Sequence, residues 1–260
     1  MTLGAYACAA SSHRVNVPLM EAHELTSFLS DRDTAFKSMQ SSAVMEYTGG
    51  GQHFKVRENI IILRPASMRV EVMSALGVAL VVAANAGQVA VFDAGKNTLI
   101  RGAADAATLN RYARIPMTPD AAVRLMLALP PDTAMLAFAP NSMTETADAK
   151  VLTYHQPGGV VDELGFTGEG NLEMVRETLA DGRIGYEVHY SDYRTVDGGY
   201  TIPTQVDASF PKTGATVKFH YENPSVNKDV PDSAFVLLPR PGTRKLNLGM
   251  GTVTTGEVRS

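Results

Sequence analysis

What most limits the fold is a series of short alternating segments between residues 43 and 101, joined by turns too tight to hold a helix. "AVMEY", "HFKVRENIIILRP", "MRVEVM", "VALVVAA", "QVAVFDA" and "NTLIRG" follow one another. The breaks fall at Gly49 to Gly51, Arg64-Pro65, Leu76-Gly77, Ala86-Gly87 and Gly95-Lys96. Parallel strands need a crossover of a dozen or more residues, so these connections predict antiparallel neighbours. In "MRVEV", Val70 and Val72 share one face while Arg69 and Glu71 share the other. One apolar and one wet face is the pattern of an antiparallel sheet that covers a core or cavity.

Helical signals flank this series. Leu25, Phe28, Leu29, Arg32, Phe36 and Met39 fall on one face of a 3.6-residue helix, predicting a helix over 19 to 39. Residues 103 to 131 are also helix-like. There Thr118 is the expected N-cap, Pro119 takes the first helical position, and Pro130 and Pro131 stop an apolar helix. Strands return after Asp132, with turn signals at Asp181-Gly182, Asp197-Gly198-Gly199 and Lys212-Thr213-Gly214. Pro203 within "YTIPTQVDASF" predicts an edge position or a bulge. "VNKDVPDSAFVLLPRPG" is expected to run along the surface, ahead of a disordered Thr- and Gly-rich tail at 243 to 260. The domain reading is a tether over 1 to 18, one domain over 19 to 242, and that tail.

Chemistry is harder to find. A net charge of −4 offers nucleic acid no electrostatic attraction. Cys8 is the one cysteine, which excludes a disulfide within the chain and a cysteine-based zinc cluster. No apolar stretch reaches the roughly 18 to 20 residues that span a bilayer as a helix. The histidines lack the i, i+4 spacing of a metalloprotease pair, and His189 and His220 read as ordinary strand residues. Asp162 and Glu163 are adjacent in a strand and so face opposite ways, which suits paired acid–base work poorly. Neither a nucleophile elbow nor a phosphate loop is present, so no catalytic residue, metal or cofactor is expected.

Several stretches resemble one family. "RVEVMSALGVALVV" is similar to a strand, a short turn ending in Leu-Gly and a second apolar strand in LolB and its relative LolA. These are the outer-membrane receptor and periplasmic carrier for lipoproteins in Gram-negative bacteria. "GQVAVFDAGKNTLIRGAADA", "IPMTPDAAVRLMLALPP" and "GYTIPTQVDASF" continue the likeness, which covers most of 20 to 242. The stretch from 132 to 170 does not align. Separately, "LGAYACAASS" resembles the end of a bacterial lipoprotein signal peptide, with Cys8 as the lipidated residue; the alternative is an ordinary thiol.

The resemblance implies a mainly β (α+β) fold, an incomplete antiparallel β-barrel with helices covering a hydrophobic cavity that holds acyl chains. It implies cavity candidates Val70, Val72, Leu80 and Val82, with Phe92, Leu99, Val123, Met126 and Leu127 as wall or lid. Leu76 falls at the turn that carries a membrane-inserting leucine in LolB. The bland alternative folds Leu76 back onto its neighbours. The implied partners are lipoprotein acyl chains or other lipid, a LolA-type periplasmic carrier, and the outer membrane through a lipid anchor at its periplasmic face, with the chain a monomer. A second reading uses the same half-barrel as a non-transporting envelope sensor or structural interaction protein.

Overall fold

The computed structural model describes residues 21–85, 87–146 and 149–248. Helix α1 (Ala22–Ala35) opens the described chain. A meander of six strands follows: β1 (Ser38–Gly49), β2 (Gln52–Leu63), β3 (Ser67–Ser74), β4 (Gly77–Asn85), β5 (Gln88–Asp93) and β6 (Thr98–Ala103). Helices α2 (Ala106–Ala113) and α3 (Pro119–Met126) then cross the sheet's apolar face. The second meander is β7 (Ser142–Glu145), β8 (Ala149–His155), β9 (Val161–Thr167), β10 (Leu172–Thr178), β11 (Ile184–Thr195), β12 (Thr201–Phe210) and β13 (Ala215–Val226). β13 pairs antiparallel with β1 and so joins the two meanders. A last strand, β14 (Arg244–Asn247), lies parallel to β6. The result is one open sheet of 14 strands, with β14 at one edge and β7 at the other. It curves around the helices without closing into a barrel, which makes the fold mainly β with a partly covered apolar interior.

Three expectations need correction. α1 ends at Ala35, well before residue 39, and Phe36 is already extended. Phe36 and Met39 are buried as the helical stripe implied, but β1 pairs from Ser38 with β2 and from Met39 with β13, and that ladder outcompetes further helix. Pro203 is not on an edge strand, since β12 lies between β11 and β13. It is tolerated because the β12–β13 ladder begins only at Gln205, beside an irregular spot where Asp192 has φ +54° and its carbonyl accepts from the Thr204 hydroxyl at 2.9 Å. The tail does not lose structure at 243, because Arg244–Asn247 pairs with Thr98–Arg101. The stretch from 132 to 170 supplies β7, β8 and β9, which extend the sheet.

The end of α3 is buried, and a buried helix end must find partners for its last carbonyls. Three side chains from distant elements supply them. Tyr190 of β11 donates to the Leu125 carbonyl at 2.9 Å and Tyr221 of β13 to that of Met126 at 3.3 Å. Arg32 of α1 donates to the carbonyls of Leu127 at 2.9 Å and Ala128 at 3.2 Å, and to that of Thr201 at 2.6 Å. This explains an arginine on the apolar stripe of α1: it is a buried clamp between α1, α3 and β12. At the other end of α3, Thr118 is the N-cap residue and Pro119 the first helical residue, yet the Thr118 side chain makes no cap bond. α2 is capped conventionally, Asp105 accepting from the Thr108 amide at 2.7 Å. Asp105→Ala is therefore expected to cost about 1 kcal/mol, measured by urea unfolding.

Candidate functional site

The register fixes which side chains face the interior. The row Tyr221–Ala43–Glu58–Val72–Leu80 runs across β13, β1, β2, β3 and β4, and the row below it includes Ile60, Val70, Val82 and Val91. Between these strands and the C-terminal end of α2 lies a cavity of about 320 Å³. That volume is in the range of small-molecule sites. Its walls are Met45, Phe54, Val56, Val70, Val72, Leu80, Val82 and Phe219, and its roof is the segment from Arg111 to Ile115. A smaller void of about 30 Å³ lies beyond Ile115 and Phe219, which line both, and it reaches Met126 and Val206.

The candidates divide accordingly. Val70, Val72, Leu80 and Val82 come together as one wall of the larger cavity. Phe92 and Leu99 do not join them: they form a row with Val81 on the opposite face, where Ala83, Ala90 and Leu237 pack with them. The inward row in β5 and β6 runs through Val91 and Ile100 instead. β4 is thus covered on both faces, because Phe235 and Leu237 of the returning chain are buried over its outer side, and this accounts for its unbroken apolar run. Val123 and Leu127 are solid core, and Met126 touches only the smaller void. The helix that roofs the cavity is α2 rather than α3. Cys8 lies outside the described residues.

Leu76 stands at the tip of the β3–β4 hairpin with its side chain fully in solvent, so it does not fold back. The turn is self-supporting: the Ser74 hydroxyl donates to the Gly77 carbonyl at 2.9 Å, and Gly77 takes φ +106°. Val78 beside it is also exposed. Since Arg57 pairs with Met73, this tip projects at the end of the sheet where half-buried Phe54 and Val56 line the cavity.

Two kinds of polar group meet the cavity. Arg111 and Arg114 lie on its roof, and Arg114 donates to Gln52 at 3.4 Å and stands 5.8 Å from the Tyr47 ring. Tyr47 in turn stacks on Phe54 at 5.1 Å. Glu58 is the unexpected one. It occupies the inward parity of β2 between Val56 and Ile60, is 3% exposed, and has apolar Ala43 and Val72 beside it in the row. Burial pushes its carboxyl up to about 8, so at neutral pH it is protonated. The alternation Phe54, Val56, Glu58, Ile60, Ile62 was the signal in the sequence: a carboxyl on a face otherwise wholly apolar.

Elsewhere the polar groups are structural. His189 meets Glu187 at 2.6 Å on the exposed face, and His220 is exposed. Asp162 is buried while Glu163 pairs with Arg176 at 3.2 Å on the other face. Among the described residues no three His, Cys, Asp or Glu side chains gather as metal ligands, and no helix is long and apolar enough to cross a membrane.

No protein-family model matches the chain, and no curated protein matches its sequence. Solved structures do match in shape. A DUF1329 family protein from Desulfovibrio piger has a TM-score of 0.58 at 12% identity, over 83% of this chain and 95% of that one. A LolA superfamily protein from Nitrosomonas europaea has a TM-score of 0.54 at 13% identity, over 84% and 98%. A domain from Vibrio parahaemolyticus, described as an outer membrane lipoprotein-sorting protein, has a TM-score of 0.52 at 7% identity, over 82% and 94%. At such identities the likeness is one of fold, and the fold of this chain is LolA-like.

Proposed function

We propose that this chain is a lipid-anchored protein of the outer membrane's periplasmic face that binds acyl chains and helps localise lipoproteins to that membrane. The cavity of about 320 Å³ under α2 carries this reading. Apart from Glu58, Arg111 and Arg114 its lining is aliphatic and aromatic, so acyl CH₂ groups entering it gain about 0.8 kcal/mol each. The names of the fold neighbours, a LolA superfamily protein and a lipoprotein-sorting domain, support the same class of ligand. Leu76 adds a second support, because a fully exposed leucine at the cavity's end of the sheet can enter lipid. That contact contributes only about 1.5–3 kcal/mol, so a stable anchor needs another source, and a lipid on Cys8 would provide it. A LolA-type carrier is the proposed donor of cargo, and the protein acts as a monomer. It uses no cofactor and performs no covalent chemistry.

The test is transfer of a labelled lipoprotein from a purified LolA-type carrier to outer-membrane vesicles, with and without this protein. The Leu76 side chain is fully in solvent and its backbone bond to the Ser74 hydroxyl does not depend on it, so Leu76→Glu is expected to shift stability by less than about 0.5 kcal/mol while lowering transfer roughly tenfold or more. Absence of transfer by the well-folded natural protein sinks the receptor reading and leaves the half-barrel as an interaction protein.

A further inference from the structure

Acyl burial alone does not account for Glu58. A wall that only had to hold hydrocarbon would carry valine or leucine there, as β3 and β4 do in the same row with Val72 and Leu80. Nor is the side chain part of a buried ion pair. Among the described residues no hydrogen bond or salt bridge engages its carboxyl, although two guanidinium groups line the same cavity. Arg114 is occupied with Gln52 and Tyr47, and Arg111 stands 5.8 Å from the Tyr112 ring. The Glu58 carboxyl opens only onto the cavity, and a polar group so placed in an apolar wall costs stability unless something in the cavity partners it.

We propose that Glu58 recognises the acyl carbonyl of the ligand: the cavity takes chains joined through an ester or amide, and the Glu58 carboxyl donates a hydrogen bond to that carbonyl oxygen. This deepens the acyl-binding reading and rests on it. Glu58 lies midway along the inward face of β2, with half-buried Phe54 and Val56 on one side and fully buried Ile60 and Ile62 on the other. Glu58 lines the cavity together with Val56, Val70 and Val72, so the carbonyl of an acyl group lodged between these walls comes within its reach. The carboxyl is protonated below about pH 8 and so has a proton to donate, and a carbonyl oxygen is an acceptor with no proton of its own. A saturated ether at the same place is a poorer acceptor and leaves the donor unsatisfied, which is how a polar group in an apolar pocket selects against an isostere.

The experiment compares a palmitoyl lysophosphatidylglycerol with its hexadecyl ether counterpart, below micelle-forming concentrations, by displacement of an apolar fluorescent dye from the cavity. The full chain is expected to bind the ester roughly tenfold tighter than the ether. Glu58→Leu is expected to bind both equally, and Glu58→Gln, whose amide still donates, to keep the preference. Thermal unfolding of each variant confirms that it is folded. Equal binding of ester and ether by the natural protein overturns the role of Glu58 and leaves the acyl-binding cavity standing. A preference that survives in Glu58→Leu overturns it as well. Failure of the dye and both lipids to bind overturns the cavity reading itself. The same ester occurs in phospholipids and in diacyl lipopeptides, so a synthetic diacyl lipopeptide run alongside identifies which source the cavity favours.

Discussion

Glu58→Gln is expected to stabilise the protein by about 3 kcal/mol at pH 7. The carboxyl titrates near 4.5 in the unfolded chain, whereas burial raises it to about 8 in the fold. Below pH 4.5 both states hold the proton, and the group adds no pH dependence. Between 4.5 and 8 the unfolded state releases its proton and the folded state does not, so stability falls as pH rises. Above 8 both are ionised and the loss levels off. Glutamine has no proton to lose and so removes the whole slope. Urea unfolding of both proteins should give nearly equal stabilities at pH 4, a gap of about 3 kcal/mol at pH 7, and a somewhat larger constant gap above pH 8. Only the difference between the two proteins is informative, because Asp162, buried and raised to about 6, adds a slope of its own to both. A gap that does not change with pH would falsify the protonated state assigned to Glu58. Keeping a group that costs this much stability is understandable if the ligand uses it.

The antiparallel series was legible because short turns leave few topologies open, and the breaks predicted between 43 and 101 are where the strands end. Leu76 was legible too, as an apolar residue in a turn that ordinarily takes polar ones. What escaped was parity and competition. Phe92 and Leu99 are as apolar as Val82, and only the register puts them on the outer face beneath Leu237. A strand covered on both sides loses the alternation that would have told its faces apart. Phe36 and Met39 extended the helical stripe because burial marks a residue as apolar whether helix or strand buries it. The segment from 132 to 170 is composed of short strands that take their place only beside β10, a long-range fact. Glu58 and Arg32 were each visible as a charge on an apolar face, and what each one does depends on elements far off in the sequence.

Asp33→Ala is expected to be as damaging as Glu58→Gln is stabilising. One oxygen of Asp33 accepts from Arg124 at 2.7 Å and from Arg64 at 2.9 Å. Arg124 lies on α3 with 5% of its side chain exposed, and its Nε donates to the Pro130 carbonyl at 2.5 Å. Arg64, at the end of β2, also donates to the carbonyls of Phe36 and Asp33. The carboxylate thus holds α1, α3 and the β2–β3 turn together, and it separates two cations that repel each other. Removing it leaves a buried guanidinium without its counter-ion, which costs about 3–5 kcal/mol. Most of that loss is the penalty of the stranded charge rather than the worth of the contact. Adding Arg124→Met to Asp33→Ala removes the stranded charge and fills its space with an apolar chain, so the double variant should recover a large part of the stability. Urea unfolding of the two single variants and the double variant decides the point. Losses that simply add would mean that the pair is uncoupled and that α3 is held against the sheet by Arg32, Tyr190 and Tyr221 without it.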